Sequence, residues 1–258
     1  MRIIIAPAKQ MRVDTDTFGN TGTPVFMEKT ETLKQWIAGL TYEEQKKLWE
    51  CNDRIAALNS ERFAKMDLYR ELTPAILAYD GIQYTYMGST VFDTDQYEYI
   101  QKNLRILSGF YGVLKPMDGV VPYRLEMNAK IGLDGYRSLY DFWGGLLYRE
   151  VIDNSRIIIN LASAQYAKCI GKYLQPGDRY ITFVFGETSP ENEEEVVQKG
   201  VYCKMARGEM VRFLAETDAK SPEQAKEFRW SGYSFEESLS DDGTYYFVRK
   251  QGKDRSRN

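Results

Sequence analysis

A chain of 258 residues with a formal net charge of -3 and no histidine is closed to several kinds of chemistry. Without imidazole there is no Ser-His-Asp or Cys-His nucleophile, no ordinary histidine zinc site and no histidine-carboxylate iron site. Proton transfer falls to Lys, Tyr, Ser, Cys or carboxylates, and neither a metal nor another cofactor is expected.

The charge balance excludes a uniformly basic coat but permits a local basic cleft. Hydrophobic residues make up 43%, enough for a sizeable core, and 19 tyrosines point to core rings with polar tips reaching partners. The three cysteines, Cys51, Cys169 and Cys203, are widely spaced with no CxxC, so a reduced, cytoplasmic setting is expected. The isoleucine run at the start is too short for a signal peptide or a membrane span, and no membrane partner is expected.

In chain order, Arg2 to Ala6 reads as a buried strand ended by Pro7, with Ala8 and Lys9 in the loop beyond. A long polar loop spans 11–25. Helical spacing covers 26–40, 42–50 and 52–66, the second opening on the capping box Thr41/Glu44. Ala75 to Tyr79 reads as a short apolar strand ended by Asp80-Gly81. Residues 94–107 carry Tyr97, Ile100, Leu104 and Leu107 on one helical stripe.

A break follows at Ser108-Gly109, with a turn through Phe110, Tyr111 and Gly112 into Lys115-Pro116. Two such glycines predict a tight connection between short helices. It either offers backbone N–H groups to a phosphate or is a buried turn that needs glycine. Residues 140–152 read as a helix. RIIINL at 156–161 reads as a second isoleucine strand, with Ser163 placed to cap the next helix. Strands are predicted at 180–185 and 200–205, a helix at 206–217, another from Ser221, and a terminal hairpin at 232–237 and 244–250. The acidic run at 191–195 reads as a solvated loop. The pattern fits a mixed α/β (α+β) fold: one domain over 1–250 with a mixed sheet and surrounding helices, then a frayed basic tail at 251–258.

Four groups of residues carry candidate chemistry. Lys9 follows a strand, where open α/β sheets place ligands. Asn160, Ser163 and Tyr166 share that context, and the helix start there favours an anion. A Tyr/Lys pair is the plausible acid–base apparatus without histidine, so Lys9, Ser163, Tyr166 and Glu126 are the catalytic candidates. Arg124 and Glu126, two apart in a loop, either clamp an anion or tether loop to core. Lys204, Arg207 and Arg212 form a basic group. Arg207 is predicted near a helix N-terminus, where it would need an acidic partner or anionic ligand.

Six motifs in register, PAK at 7–9, LRILSGFYGVLKPMD at 104–118, PYRLEM at 122–127, DFWG at 141–144, INLAS at 159–163 with Tyr166, and KMARGEMVRF at 204–213, resemble the YaaA family over nearly the whole chain. The resemblance implies a cytoplasmic protein of hydrogen peroxide stress that lowers free intracellular iron. It implies a mixed α/β unit with a basic cleft that binds double-stranded DNA through a helix-hairpin-helix element. That element matches 104–114 here, with Ser108, Gly109, Tyr111, Gly112 and Lys115 expected at the DNA backbone. Binding of that kind is sequence-tolerant and salt-sensitive. The alternative is an enzyme acting on a small anionic or nucleotide-like substrate in a Lys/Ser/Tyr/Arg pocket. Direct iron handling is the least favoured, because histidine and paired cysteines are missing.

Overall fold

Three consecutive isoleucines need apolar cover on both faces, a condition met in the middle of a parallel sheet. The computed structural model describes residues 1–188 and 196–249, and it buries Ile3, Ile4 and Ile5 completely. They form β1 (Arg2–Ile5). The chain continues through β2 (Gln10–Met11), α1 (Met27–Ala38), α2 (Tyr42–Trp49) and α3 (Asp53–Lys65). Four short elements follow: β3 (Thr73–Pro74), α4 (Ala75–Ala78), β4 (Tyr79–Asp80) and α5 (Ile82–Met87). Then come α6 (Thr94–Asn103), β5 (Leu104–Ser108), β6 (Gly112–Leu114) and β7 (Gly119–Val120). Helices α7 (Leu139–Trp143) and α8 (Leu146–Val151) lead to β8 (Ile157–Leu161) and α9 (Ala164–Gly171). The last elements are β9 (Arg179–Thr188), β10 (Val196–Val197), α10 (Gly200–Glu216), β11 (Tyr233–Phe235) and β12 (Thr244–Arg249).

One mixed sheet organises these elements in the order β11-β12-β9-β8-β1-β5-β6, with β10 also paired to β9. Strands β12, β9, β8, β1 and β5 run parallel, and β6 and β11 are antiparallel rims. Register puts Ile5 between Ile106 and Leu161. The central strands β1 and β8 are the most apolar of the sheet, and helices pack over it. Leu33 and Ile37 of α1, and Met210, Val211 and Leu214 of α10, are fully buried in that cover. Capping sets the helix starts: Thr41 and Glu44 form the expected box, Asn52 caps α3, and Asp93 and Gln96 box α6.

Four predicted elements differ. Residues 75–78 form a helical turn, since a four-residue apolar run fits either state and alanine favours helix. The helix predicted to 107 ends at Asn103. Leu104 to Ile106 pair with β1 instead, because β1 needs a partner on that side. The run 200–205 is the first part of α10, not a strand, so Arg207 lies inside a helix rather than at its start. The helix over 140–152 is two helices divided at Gly144, which has φ +51°.

The expected helix-hairpin-helix at 104–114 is instead a buried β-hairpin, with Leu107 opposite Val113 and Ser108 opposite Gly112. Ser108, Phe110 and Tyr111 are fully buried. The acidic run at 191–195 and the tail at 251–258 lie outside the described residues. Among the described residues, no helix is long and apolar enough to cross a membrane.

Candidate functional site

Strands β1 and β8 are neighbours, but the chain leaves them in opposite directions. From β1 it goes on to β5 on one side, and from β8 to β9 on the other. Loops that diverge in this way open a crevice at the carboxyl ends of the two strands, where open α/β sheets bind ligands. A cavity of about 460 Å³ lies there. Lys9 enters from the loop after β1, Ser163 and Tyr166 from the start of α9, and Arg124 and Glu126 from the loop after β7. Gln83 and Tyr84 come from α5, and Lys204 and Arg207 from α10.

The two helices reach the cavity together because they touch closely. A Cβ at Gly208 would collide with the Gln83 carbonyl and lie 2.9 Å from the Met87 nitrogen. Glycine at this one position lets α10 lie against α5 and carry Arg207 to the wall.

Charge on the wall is predominantly positive. Lys9, Arg124, Lys204 and Arg207 face two carboxylates, Asp80 and Glu126. Lys9 Nζ is 2.9 Å from Glu126 Oε1, and Arg124 Nη2 is 3.4 Å from the same oxygen. The Arg124–Glu126 pair is thus an ion pair within one loop, and it lies in the cavity wall. Arg207 has no carboxylate partner among the described residues, and burial pulls its guanidinium below the usual arginine value. Three nitrogens of wall residues, Arg124 Nε, Arg207 Nε and Gln83 Nε2, are buried without a hydrogen-bond partner among the described residues.

Behind the wall is a chain of hydroxyls. Tyr79 Oη is 2.7 Å from Tyr123 Oη, which is 2.6 Å from Ser108 Oγ. Ser108 Oγ also accepts from the Phe110 and Tyr111 N–H groups at 3.1 and 2.9 Å. Burial pushes the Tyr123 phenol up to about 12, and pushes that of Tyr166 well above its usual range. Both stay protonated at neutral pH.

Seven predicted residues thus meet in one place: Lys9, Arg124, Glu126, Ser163, Tyr166, Lys204 and Arg207. Ser163 takes the N-cap position of α9 without a side-chain capping bond, so its hydroxyl is not committed to the helix. Asn160 lies off the cavity lining. It donates to Thr182 Oγ1 and accepts from the Ala162 N–H, bracing the turn out of β8. Arg212 pairs with Glu216 on the far part of α10. Lys115 belongs to a separate cavity.

The hairpin residues Ser108, Gly109, Tyr111 and Gly112 are buried under the site instead of lining it. Sequence reasoning missed Gln83, Tyr84 and Asp80. The Asp80-Gly81 break marked a boundary, but nothing in a short apolar and polar mixture placed it at the cavity.

The family model described as "Peroxide stress protein YaaA" matches residues 1–239. The chain belongs to the YaaA family of peroxide stress proteins. It is similar to a UPF0246 protein of Agathobacter rectalis, 54% identical over 97% of this chain and 99% of that one. A UPF0246 protein of Desulfitobacterium hafniense is 54% identical over 96% and 98%. One of Lachnoclostridium phytofermentans is 47% identical over the full length of both chains.

The YaaA-like motifs divide by position. PAK, PYRLEM, INLAS with Tyr166, and the start of KMARGEMVRF supply the cavity wall. The glycine hairpin and DFWG lie beneath it, joined by the Trp143 Nε1 bond to the Gly109 carbonyl at 3.0 Å.

Proposed function

We propose that this YaaA-family chain takes part in peroxide defence by binding a small anionic ligand, of phosphate-ester or nucleotide size, in the cleft between the β1 and β8 loops. One observation carries the reading: four cations, Lys9, Arg124, Lys204 and Arg207, share the cavity wall with two carboxylates, Asp80 and Glu126. A ligand rich in acceptor oxygens neutralises that excess positive charge. Tyr166 adds a protonated phenol, and the start of α9 adds free N–H groups. The cavity volume of about 460 Å³ falls within the usual range for small-molecule sites. Whether the occupant is a ligand or a substrate is a matter of which groups react. Lys9, Glu126, Ser163 and Tyr166 are the residues at hand.

Calorimetric titration with pyrophosphate and with nucleoside mono- and triphosphates tests this reading. At least one of them is expected to bind the wild-type protein. The Arg124→Ala/Arg207→Ala variant is expected to lose at least tenfold in affinity, on the scale of truncated charged contacts. Absence of binding to the wild-type protein by every anion in the set overturns it.

A second reading is favoured by Lys9 and Lys204, which are exposed at the rim. They suit the phosphate backbone of double-stranded DNA, with the lowering of free iron as the downstream effect. On this reading, the Lys9→Ala/Lys204→Ala variant flattens the slope of log affinity against log salt by roughly two. An unchanged slope rejects it.

A further inference from the structure

A second basic cavity lies at the other end of the sheet. Arg2 and Arg105 stand at the amino ends of the parallel strands β1 and β5, whereas the cleft described above opens at the carboxyl ends. With Lys102 and Lys115 they border an open basin of about 590 Å³, on which Glu98 is the only carboxylate among the lining residues.

Arg105 is the anomaly. It is 4% exposed, and among the described residues no carboxylate reaches ion-pair distance of it. Its Nη1 donates to three main-chain carbonyls, those of Gln101, Lys102 and Leu104, at 3.2, 3.3 and 2.7 Å. Its Nε is buried with no hydrogen-bond partner among the described residues. A buried guanidinium is normally paired with a carboxylate, because removing a charge from water is expensive.

The neighbouring charges do not resolve this. Arg2 adds a second positive charge nearby, and together with burial it lowers the Arg105 guanidinium to about 10. Asp118, Glu150 and Asp153 act on Arg105 only at a distance. Asp153 is engaged by Arg2 and the chain's own amino group, and Asp118 accepts from the Lys115 N–H. The carboxyl end of α6 offers about half a negative charge. Lys102 and Lys115 are exposed and form no ion pair among the described residues.

We infer that this basin is a second anion site, built on Arg105 and completed by Arg2, Lys102 and Lys115, for a ligand bearing a phosphate group. A phosphate supplies several acceptor oxygens and up to two negative charges, which matches Arg105, Lys102 and Lys115, three cations without an ion pair among the described residues, beside an Arg2 already paired with Asp153. The ligand is either a free phosphoanion or a phosphate of a nucleic-acid backbone. The site is independent of the first cleft and stands whether or not that cleft binds an anion.

Two-dimensional NMR of the full chain tests it, following the Arg105 Nε–H and the Lys102 and Lys115 amides during titration with pyrophosphate and, separately, a short DNA duplex. Shifts with pyrophosphate support a free phosphoanion as occupant. Shifts with the duplex alone support a backbone phosphate. The Lys102→Glu/Lys115→Glu variant changes only exposed side chains, so it keeps the wild-type spectrum elsewhere. It is expected to weaken the responding interaction by roughly tenfold or more. No shift with either probe, or shifts of equal affinity in the variant, overturns the inference.

Discussion

The Lys9 ammonium lies 2.9 Å from Glu126 Oε1. That oxygen is also shared with Arg124. Glu126 therefore holds two of the cleft's four cations, in the place where an acceptor oxygen of an incoming anion would sit. Glu126→Gln is expected to raise affinity for pyrophosphate by a few-fold, since Lys9 is mostly exposed and its pairing is screened by water. Calorimetry on the variant checks this. A fall in affinity would identify Glu126 as a group that orients Arg124, not one that competes with the ligand.

The glycine hairpin acts as a support for that loop. A Cβ at Gly109 would lie 2.5 Å from the Leu125 carbonyl oxygen and 3.1 Å from the Glu126 carbonyl carbon, both main-chain atoms that cannot rotate away. Gly109→Ala is expected to cost about 1–3 kcal/mol of stability through overpacking. Because the displaced segment carries Arg124 and Glu126, anion affinity should fall as well. Gly132→Ala, with nothing within 4 Å, is the control and should stay within about 0.5 kcal/mol in urea titrations.

Tyr123 joins the core to the cleft wall. Tyr123→Phe keeps the ring against Phe110, a stacked pair with centroids 4.9 Å apart, but removes the hydroxyl between Tyr79 and Ser108. A loss of about 1–2 kcal/mol is expected, because two buried hydroxyls lose a partner. Thermal unfolding of Tyr79→Phe, of Tyr123→Phe and of the Tyr79→Phe/Tyr123→Phe pair measures it. The double variant should lose less than the sum of the singles.

Asp118 makes a prediction about pH. Burial raises its carboxyl above the ordinary 3.8, against the pull of the Lys115 N–H bond and the Lys115 and Arg105 charges. The folded state thus holds this proton more tightly than the unfolded state. The group's contribution to stability is fullest below the unfolded value and is lost as pH rises through the folded one. Asp118→Asn should remove that part of the slope just above pH 3.8 while keeping an acceptor for the Lys115 N–H. Urea midpoints of both proteins between pH 3 and 7 decide it, and parallel curves would refute it.

The sheet's centre was legible because continuous apolar strands have one comfortable environment, and RIII and IIINL both found it. Helix starts were legible where capping chemistry is local, as at Thr41. The hairpin was misread because Leu104, Ile106 and Leu107 satisfy helical and strand spacing alike. Only the open edge of β1 decides between them. Lys9, Arg124, Ser163 and Arg207 were found as separate suspects. Their convergence depends on strand order, which no local pattern encodes. Gln83 was invisible for the same reason, since its importance comes from the contact of α5 with Gly208.

The cleft takes Lys9 from one end of the chain and Lys204 and Arg207 from the other. During synthesis the ribosome releases Lys9 first, but nothing can complete the wall until α10 has emerged and lain down against α5. A chain broken off before residue 200 would expose the Lys9 and Arg124 loops without their opposite bank. A complete cationic wall is therefore a property of the finished polypeptide, acquired late and all at once.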